Sequence, residues 1–229
     1  IGVIGDTQLN SVGARSDHLS ALYDIFKRNK CGLVLHPGDF SDGIGRYKGH
    51  AAELKSQYAE EVVEDIILTY PRVGIPTYFI GGNDDRTYLD LKPRYRRDIC
   101  AQVARHRKDL HYLGLNHARV KFKEVVVELN HPRNLNRGAY TASAPLQKLV
   151  ECYQGGSKPD ILLVGGYHRF YSTNQRGIKA FLVGAVADQT ATMVTKRHVS
   201  YCGGLILDIE LDSKGQLKDM SWTFVPLYR

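Results

Sequence analysis

Short apolar runs rich in Val, Ile, Leu and Phe recur along the chain, with amphipathic stretches between them. That alternation predicts strands covered by helices, an α/β fold. Ile1 to Gly5 reads as a first strand. Ser16 to Lys30 reads as a helix, with Ser16 or Asp17 available to cap it and Leu19, Leu22, Tyr23 and Phe26 on one face. A strand over Gly32 to His36 follows, then a long helix from about Ala51 to Tyr70 and a strand over Thr77 to Ile80, with Pro71 and Pro76 punctuating the connection.

Beyond residue 110 the texture changes. Ala118 to Phe122 and Glu124 to Leu129 are adjacent strand patterns joined by a turn at Lys123, so antiparallel pairing is expected and the sheet is mixed. Pro145 to Tyr153 predicts a further helix with Pro in its first turn. Asp160 to Val164 reads as a buried strand. Ile178 to Val183, Leu205 to Leu211 and Trp222 to Leu227 form a β-rich tail with a turn at Asp212-Ser213-Lys214-Gly215. No change of composition marks a linker, so residues 1–229 are expected to form a single domain of two packed mixed β-sheets flanked by helices.

Composition narrows this without redirecting it. A chain of 229 residues with 43% hydrophobic and 24% charged residues can bury roughly 70% of its unfolded surface, and low-complexity segments are absent. No apolar run approaches the ~18 residues that a membrane span needs, so a soluble protein without a membrane partner is expected. Cys31, Cys100, Cys152 and Cys202 lack Cys-x-x-Cys spacing, which points to ordinary thiols in a cytoplasmic protein. The sequence begins Ile1-Gly2-Val3-Ile4 with no initiator methionine, and an upstream segment is expected. The formal charge of +7 suggests anionic partners, nucleic acid first among them. The densest basic stretch runs from Lys92 to Arg97 and resumes at Arg105-His106-Arg107-Lys108. It reads equally as a nucleic-acid footprint and as a solvated helix face.

The chemistry concentrates at strand ends. Asp6, Asp39, Asn83, His131 and His168 each stand just past the carboxyl end of an apolar strand, where ligand crevices form in α/β sheets. Each alone has an ordinary explanation in turn chemistry. Together they are oxygen and imidazole donors suited to divalent metals.

In order, the chain carries Gly5-Asp6-Thr7-Gln8, Gly38-Asp39, Gly82-Asn83-Asp84-Asp85, Asn130-His131-Pro132 and Gly165-Gly166-Tyr167-His168. This series resembles the calcineurin-like metallophosphoesterases, whose pattern is Asp-x-His, Gly-Asp, Gly-Asn-His-Asp/Glu, a lone His and Gly-His-x-His. Arg137 to Tyr140, Leu146 to Leu149 and Lys158 to Leu162 look like a phage and archaeal branch of that family. The resemblance implies a divalent cofactor (Mn²⁺, Zn²⁺, Fe or Mg²⁺) and a phosphate ester substrate attacked by metal-activated water. Asp39 would bridge two ions. Asp6 and His168, with Gln8, would complete one site, while Asn83 and His131 would supply half of a second.

Three departures remove imidazoles. Gln8 keeps a carbonyl oxygen as a weak ligand, whereas Gly166 offers no side chain. Asp84 replaces the histidine that assists the leaving group. As an anion near neutrality it would repel phosphate, unless Asp84 or Asp85 turns inward as a ligand. Asn83, Asp84 and Arg86 are the catalytic candidates, with Arg137 and Tyr140 as further phosphate contacts. His36 reads as a buried, satisfied histidine, and His18, His50, His106, His111, His117 and His198 show no ligand spacing. Two functions compete: a metal-dependent phosphodiesterase or nuclease, and a lapsed enzyme of the same scaffold that binds nucleic acid or a protein partner.

Overall fold

The computed structural model describes residues 1–133 and 141–227. Arg137 and Tyr140 lie outside them. Among the described residues, eleven strands form two sheets. The first strands are β1 (Gly2–Val3), β2 (Val34–Pro37), β3 (Thr77–Gly81) and β4 (Leu110–Leu115), which pair in parallel in that order. β5 (His117–Phe122) and β6 (Val125–Asn130) form the expected hairpin, with Lys123 at φ 52° in its turn. β7 (Ile161–Val164), β8 (Phe170–Gln175) and β9 (Ile178–Val183) complete a second sheet in the order β5-β6-β7-β9-β8. β10 (Gly203–Leu211) returns to the first sheet antiparallel to β1, and β11 (Leu217–Pro226) closes that edge. Both sheets are mixed, as the sequence pattern implies.

Helices cover the outer faces. α1 (Ser16–Arg28), α2 (Ala59–Thr69) and α3 (Ile99–His106) pack Phe26, Ile66 and Val103 into one buried cluster with Val34 and Phe79. α1 buries the four residues of its expected face, Leu19, Leu22, Tyr23 and Phe26. α4 (Ser143–Glu151) sets Leu146 and Val150 against Leu162 and Leu182 of the other sheet. Between the sheets lie Val3, Leu35, Ile80, Val127, Leu163 and Val183. α5 (Ala191–Thr195) is a short helix after β9 that the periodicity does not reveal. No helix of the described residues is long and apolar enough to cross a membrane.

Three expectations are corrected. The helix over 51–70 divides into a 3₁₀ turn at His50–Glu53 and α2, because Leu54 is extended (φ −108°, ψ 145°) and bridges Ser11. Asn10 holds the gap through both polar ends: its Nδ2 donates to Ser56 O at 2.8 Å and its Oδ1 accepts Ser56 N–H at 2.9 Å. Tertiary pairing overrides local propensity there. Neither Ser16 nor Asp17 caps α1, whose N-cap is Arg15. Asp17 instead accepts from the Arg15 guanidinium. Within the basic stretch, Arg107 is buried rather than solvated, donating to the carbonyls of Ile67, Tyr70 and Pro71 and to Asp109.

Candidate metal and phosphate site

The carboxyl ends of β1, β2 and β3 in one sheet and of β6 and β7 in the other open on the same edge. His131 joins the two sheets there: its Nδ1 lies 2.8 Å from Pro37 O, so that nitrogen carries the proton and donates. Glycines make the approach possible. A Cβ at Gly38 or Gly165 would collide with the His131 ring, and one at Gly82 would overlap Asp39 Oδ1. The family-like Gly-Asp, Gly-Asn and Gly-Gly pairs therefore have a packing reason.

Asp6, Asp39 and His168 are buried, and one ligand atom from each lies within 4.8 Å of the others. Asp6, Gln8, Asp39 and His168 all adopt left-handed backbone, with φ of 48°, 47°, 51° and 52°. Such conformations cost on the order of 1 kcal/mol or more each in non-glycine residues and cluster at functional sites. Cross-loop bonds hold them: Asp6 N–H donates to Gly38 O, Gln8 N–H to Asp39 O and Tyr201 N–H to His168 O. Two carboxylates and an imidazole in a buried pocket suit a borderline divalent ion, so the residues fit the cofactor that the motifs imply.

The remaining candidates surround this trio. Gln8 Nε2 donates to Asp39 Oδ2 at 3.2 Å. His131 Nε2 lies 3.2 Å from Asp39 Oδ2 and 3.1 Å from Asn83 Oδ1. Burial opposes a charge on His131, but Asp39 outweighs it and raises the imidazole to about 9. The N–H of Gly166 points at both oxygens of Asp6, at 2.9 and 2.8 Å, where the family pattern has a histidine.

Asp84 and Asp85 take roles that the sequence does not disclose. Asp85 accepts from Phe40 N–H, Ser41 N–H, Ser41 Oγ and Gly82 N–H, so it stitches the loop after β2 to the loop after β3 and is committed to that task. Burial, and then Asp39, push its carboxyl up to about 6. Asp84 is buried and ion-paired with Arg46, while its backbone N–H donates to Asp39 Oδ1 at 2.9 Å. The expected bare, repulsive anion is thus a neutralised one. Arg86 turns away to Asp90 at 3.3 Å and does not border the cavity.

That cavity has a volume of about 410 Å³ and is bordered by Gln8, Asn83, Asp84 and His168 on the site side and by the cations Arg46, Arg133 and Lys196, with His198, on the other. The cationic wall escaped sequence reasoning because its members come from separate loops. The one available signal for Arg46 is the glycine-bearing segment Gly43-Ile44-Gly45-Arg46 soon after Asp39.

A family model described as calcineurin-like phosphoesterase matches residues 1–181. Among solved structures, a novel archaeal phosphodiesterase is similar over 98% of each chain, with 12% identity and a TM-score of 0.54. Vacuolar Protein Sorting 29 from Cryptosporidium parvum covers 100% of this chain and 97% of its own at 13% identity, with a TM-score of 0.49. The E. coli phosphoesterase Yfce covers 96% and 97% at 12% identity, with a TM-score of 0.41. No curated protein matches by sequence. The likeness to the archaeal structure shows a shared fold, and the family match spans every motif from Asp6 to His168. This chain belongs to the calcineurin-like phosphoesterase family.

Proposed function

We propose that the protein is a metal-dependent phosphoesterase acting on phosphodiesters, with a nucleotide or nucleic acid as substrate. The observation that carries the reading is the buried Asp6, Asp39 and His168 trio, whose ligand atoms lie within 4.8 Å of one another. When bound, a divalent ion such as Mn²⁺ or Zn²⁺ supplies a Lewis acid and a water of lowered pKa. Asp6, Asp39 and His168 would hold it, with Gln8 beside them. Asn83 and His131 form half of a second position, which lacks the imidazole that Gly166 replaces. His131 Nε2 and Asn83 Oδ1, 3.1 Å apart, are the atoms that would turn to an ion there, and the cavity's cations attract the anionic ester. Four free cysteines are in keeping with a cytosolic setting.

A second reading, a binding module that has lost catalysis, is favoured by one observation. The carboxylates already have protein donors, Gly166 N–H on Asp6 and Gln8 Nε2 on Asp39. One experiment decides between them: calorimetric titration with Mn²⁺, then hydrolysis of bis(p-nitrophenyl) phosphate by the wild type and by Asp39→Ala. Tight metal binding and turnover at least tenfold above the variant are expected. Turnover equal to that of Asp39→Ala would leave only the binding module.

A further inference from the structure

We propose that Arg46 grips the substrate phosphate, supplying with a guanidinium the positive charge that this chain lacks as an imidazole after Asn83. The substrate rests on the phosphoesterase reading above, whereas the geometry does not. Asp84 stands where the family pattern places the phosphate-contacting histidine, and its buried carboxylate engages Arg46 Nη1. The same Asp84 donates its N–H to Asp39 Oδ1 at 2.9 Å, so Arg46 is one ion pair removed from the candidate metal trio.

The pair differs from a purely structural salt bridge in its surroundings. Asp84's side chain is 1% exposed, but that of Arg46 is 25% exposed and borders the cavity shared with Gln8, Asn83 and His168. A guanidinium has five donors in a planar fork, and the carboxylate that anchors one nitrogen also fixes the plane in which the others lie. A fork held in this way matches phosphate oxygens in pairs. Burial opposes the charge on Arg46, but Asp84, Asp39 and Asp42 outweigh it, so the cation persists across the whole working pH range. Arginine cannot serve as a proton donor, and Arg46 therefore positions the phosphate and offsets its charge without protonating the leaving group. Turnover should then favour esters whose leaving group departs unprotonated, such as nitrophenolates, over alkyl esters.

The test uses inorganic phosphate as probe and Mn²⁺-loaded protein, titrated calorimetrically. Arg46→Gln is expected to weaken phosphate binding about 10- to 100-fold, the range for loss of one charge-assisted contact of 1.4–2.8 kcal/mol, with Mn²⁺ affinity unchanged within twofold. Arg46→Lys, which keeps the charge and loses the fork, should fall between. Arg97→Gln, whose guanidinium pairs with Glu60 on the surface, should match wild type. If Arg46→Gln fails to fold, Arg46→Lys decides alone. Phosphate affinity in either folded variant equal to wild type, or wild type that binds no phosphate, overturns the proposal. Hydrolysis measured on the same preparations separates the two readings. Phosphate held through Arg46 without turnover refutes only the enzyme. Turnover with kcat and KM unchanged in Arg46→Gln refutes only the role of Arg46.

Discussion

His36 Nε2 lies 3.0 Å from Thr7 Oγ1, and this contact ties the loop bearing Asp6 and Gln8 to the strand that delivers Asp39. The bonds form a directed chain. Gly38 N–H donates to His36 Nδ1, which leaves the ring proton on Nε2 to donate to Thr7, whose hydroxyl donates to Phe40 O at 2.8 Å. The imidazole is fully buried and must be neutral for this arrangement. Burial, followed by the neighbouring His131, lowers it to about 3.

Acid should therefore loosen the metal-site loops. The unfolded chain takes up a proton on His36 below about 6.5, whereas the folded one resists until near 3, so stability falls as pH drops through that window, by up to ~1.4 kcal/mol per unit from this group. Between pH 7, 5.5 and 4.5 the urea midpoint of the wild type should lose more, or gain less, than that of His36→Gln, which starts lower; Asp85, whose raised carboxyl works in the opposite sense, is common to both proteins. Equal slopes for the two proteins would contradict the assignment.

Asp85 serves the same junction by accepting four donors, three of them backbone amides. Asp85→Ala leaves buried N–H groups unmatched at about 1–3 kcal/mol each, and a loss of at least ~3 kcal/mol is expected in denaturant unfolding. Its thermal midpoint would drop with it.

Gly82→Ala probes space rather than charge. The added methyl would overlap Asp39 Oδ1 and crowd the Asp39 backbone nitrogen. We expect Mn²⁺ affinity to fall by an order of magnitude or more, beyond the modest fold destabilisation that overpacking of about 1–3 kcal/mol brings. Retained affinity in a calorimetric titration would show that the loop gives way without moving the carboxylate.

Restoring the family pattern one residue at a time should harm this protein. Asp84→His removes the partner of a three-quarters buried Arg46 guanidinium, and breaking a buried pair costs about 3–5 kcal/mol. Gly166→His forces a side chain onto φ 88° and disturbs the N–H held on Asp6. Each single variant is expected to melt below wild type, which thermal unfolding will reveal directly. An Asp84→His protein as stable as wild type would mean that Arg46 needs no carboxylate.

The basic stretch should split by burial. Arg107→Ala should destabilise by about 3 kcal/mol or more, because Asp109 and three carbonyls lose their donor. Arg94 and Arg96 are exposed, so their double alanine variant should unfold like wild type. If single-stranded DNA binds this face, the variant should lower the slope of log affinity against log salt by about one to two. An unchanged slope would place the nucleic-acid contact elsewhere.

Much of the design was legible in the one-dimensional pattern. Alternating apolar runs gave the strands, the spacing of Leu19, Leu22, Tyr23 and Phe26 gave the buried face of α1, and the residue types after each strand gave five candidates to converge, of which the family resemblance grouped Asp6, Asp39 and His168. Each of these depends on interactions local in sequence or on a rule about strand ends that holds for parallel sheets generally. Other features required the chain to be folded. The extended backbone at Leu54 is set by Asn10, 44 residues earlier. Asp85 finds its partners 44 and 45 residues away in the loop after β2. Arg46 reaches Asp84 from the loop after β2 and changes an expected repulsive anion into half of an ion pair. Sequence determined which residues carry donors suited to a metal. Only tertiary structure decided which charges meet, because a carboxylate's effect depends on the cation that burial leaves beside it.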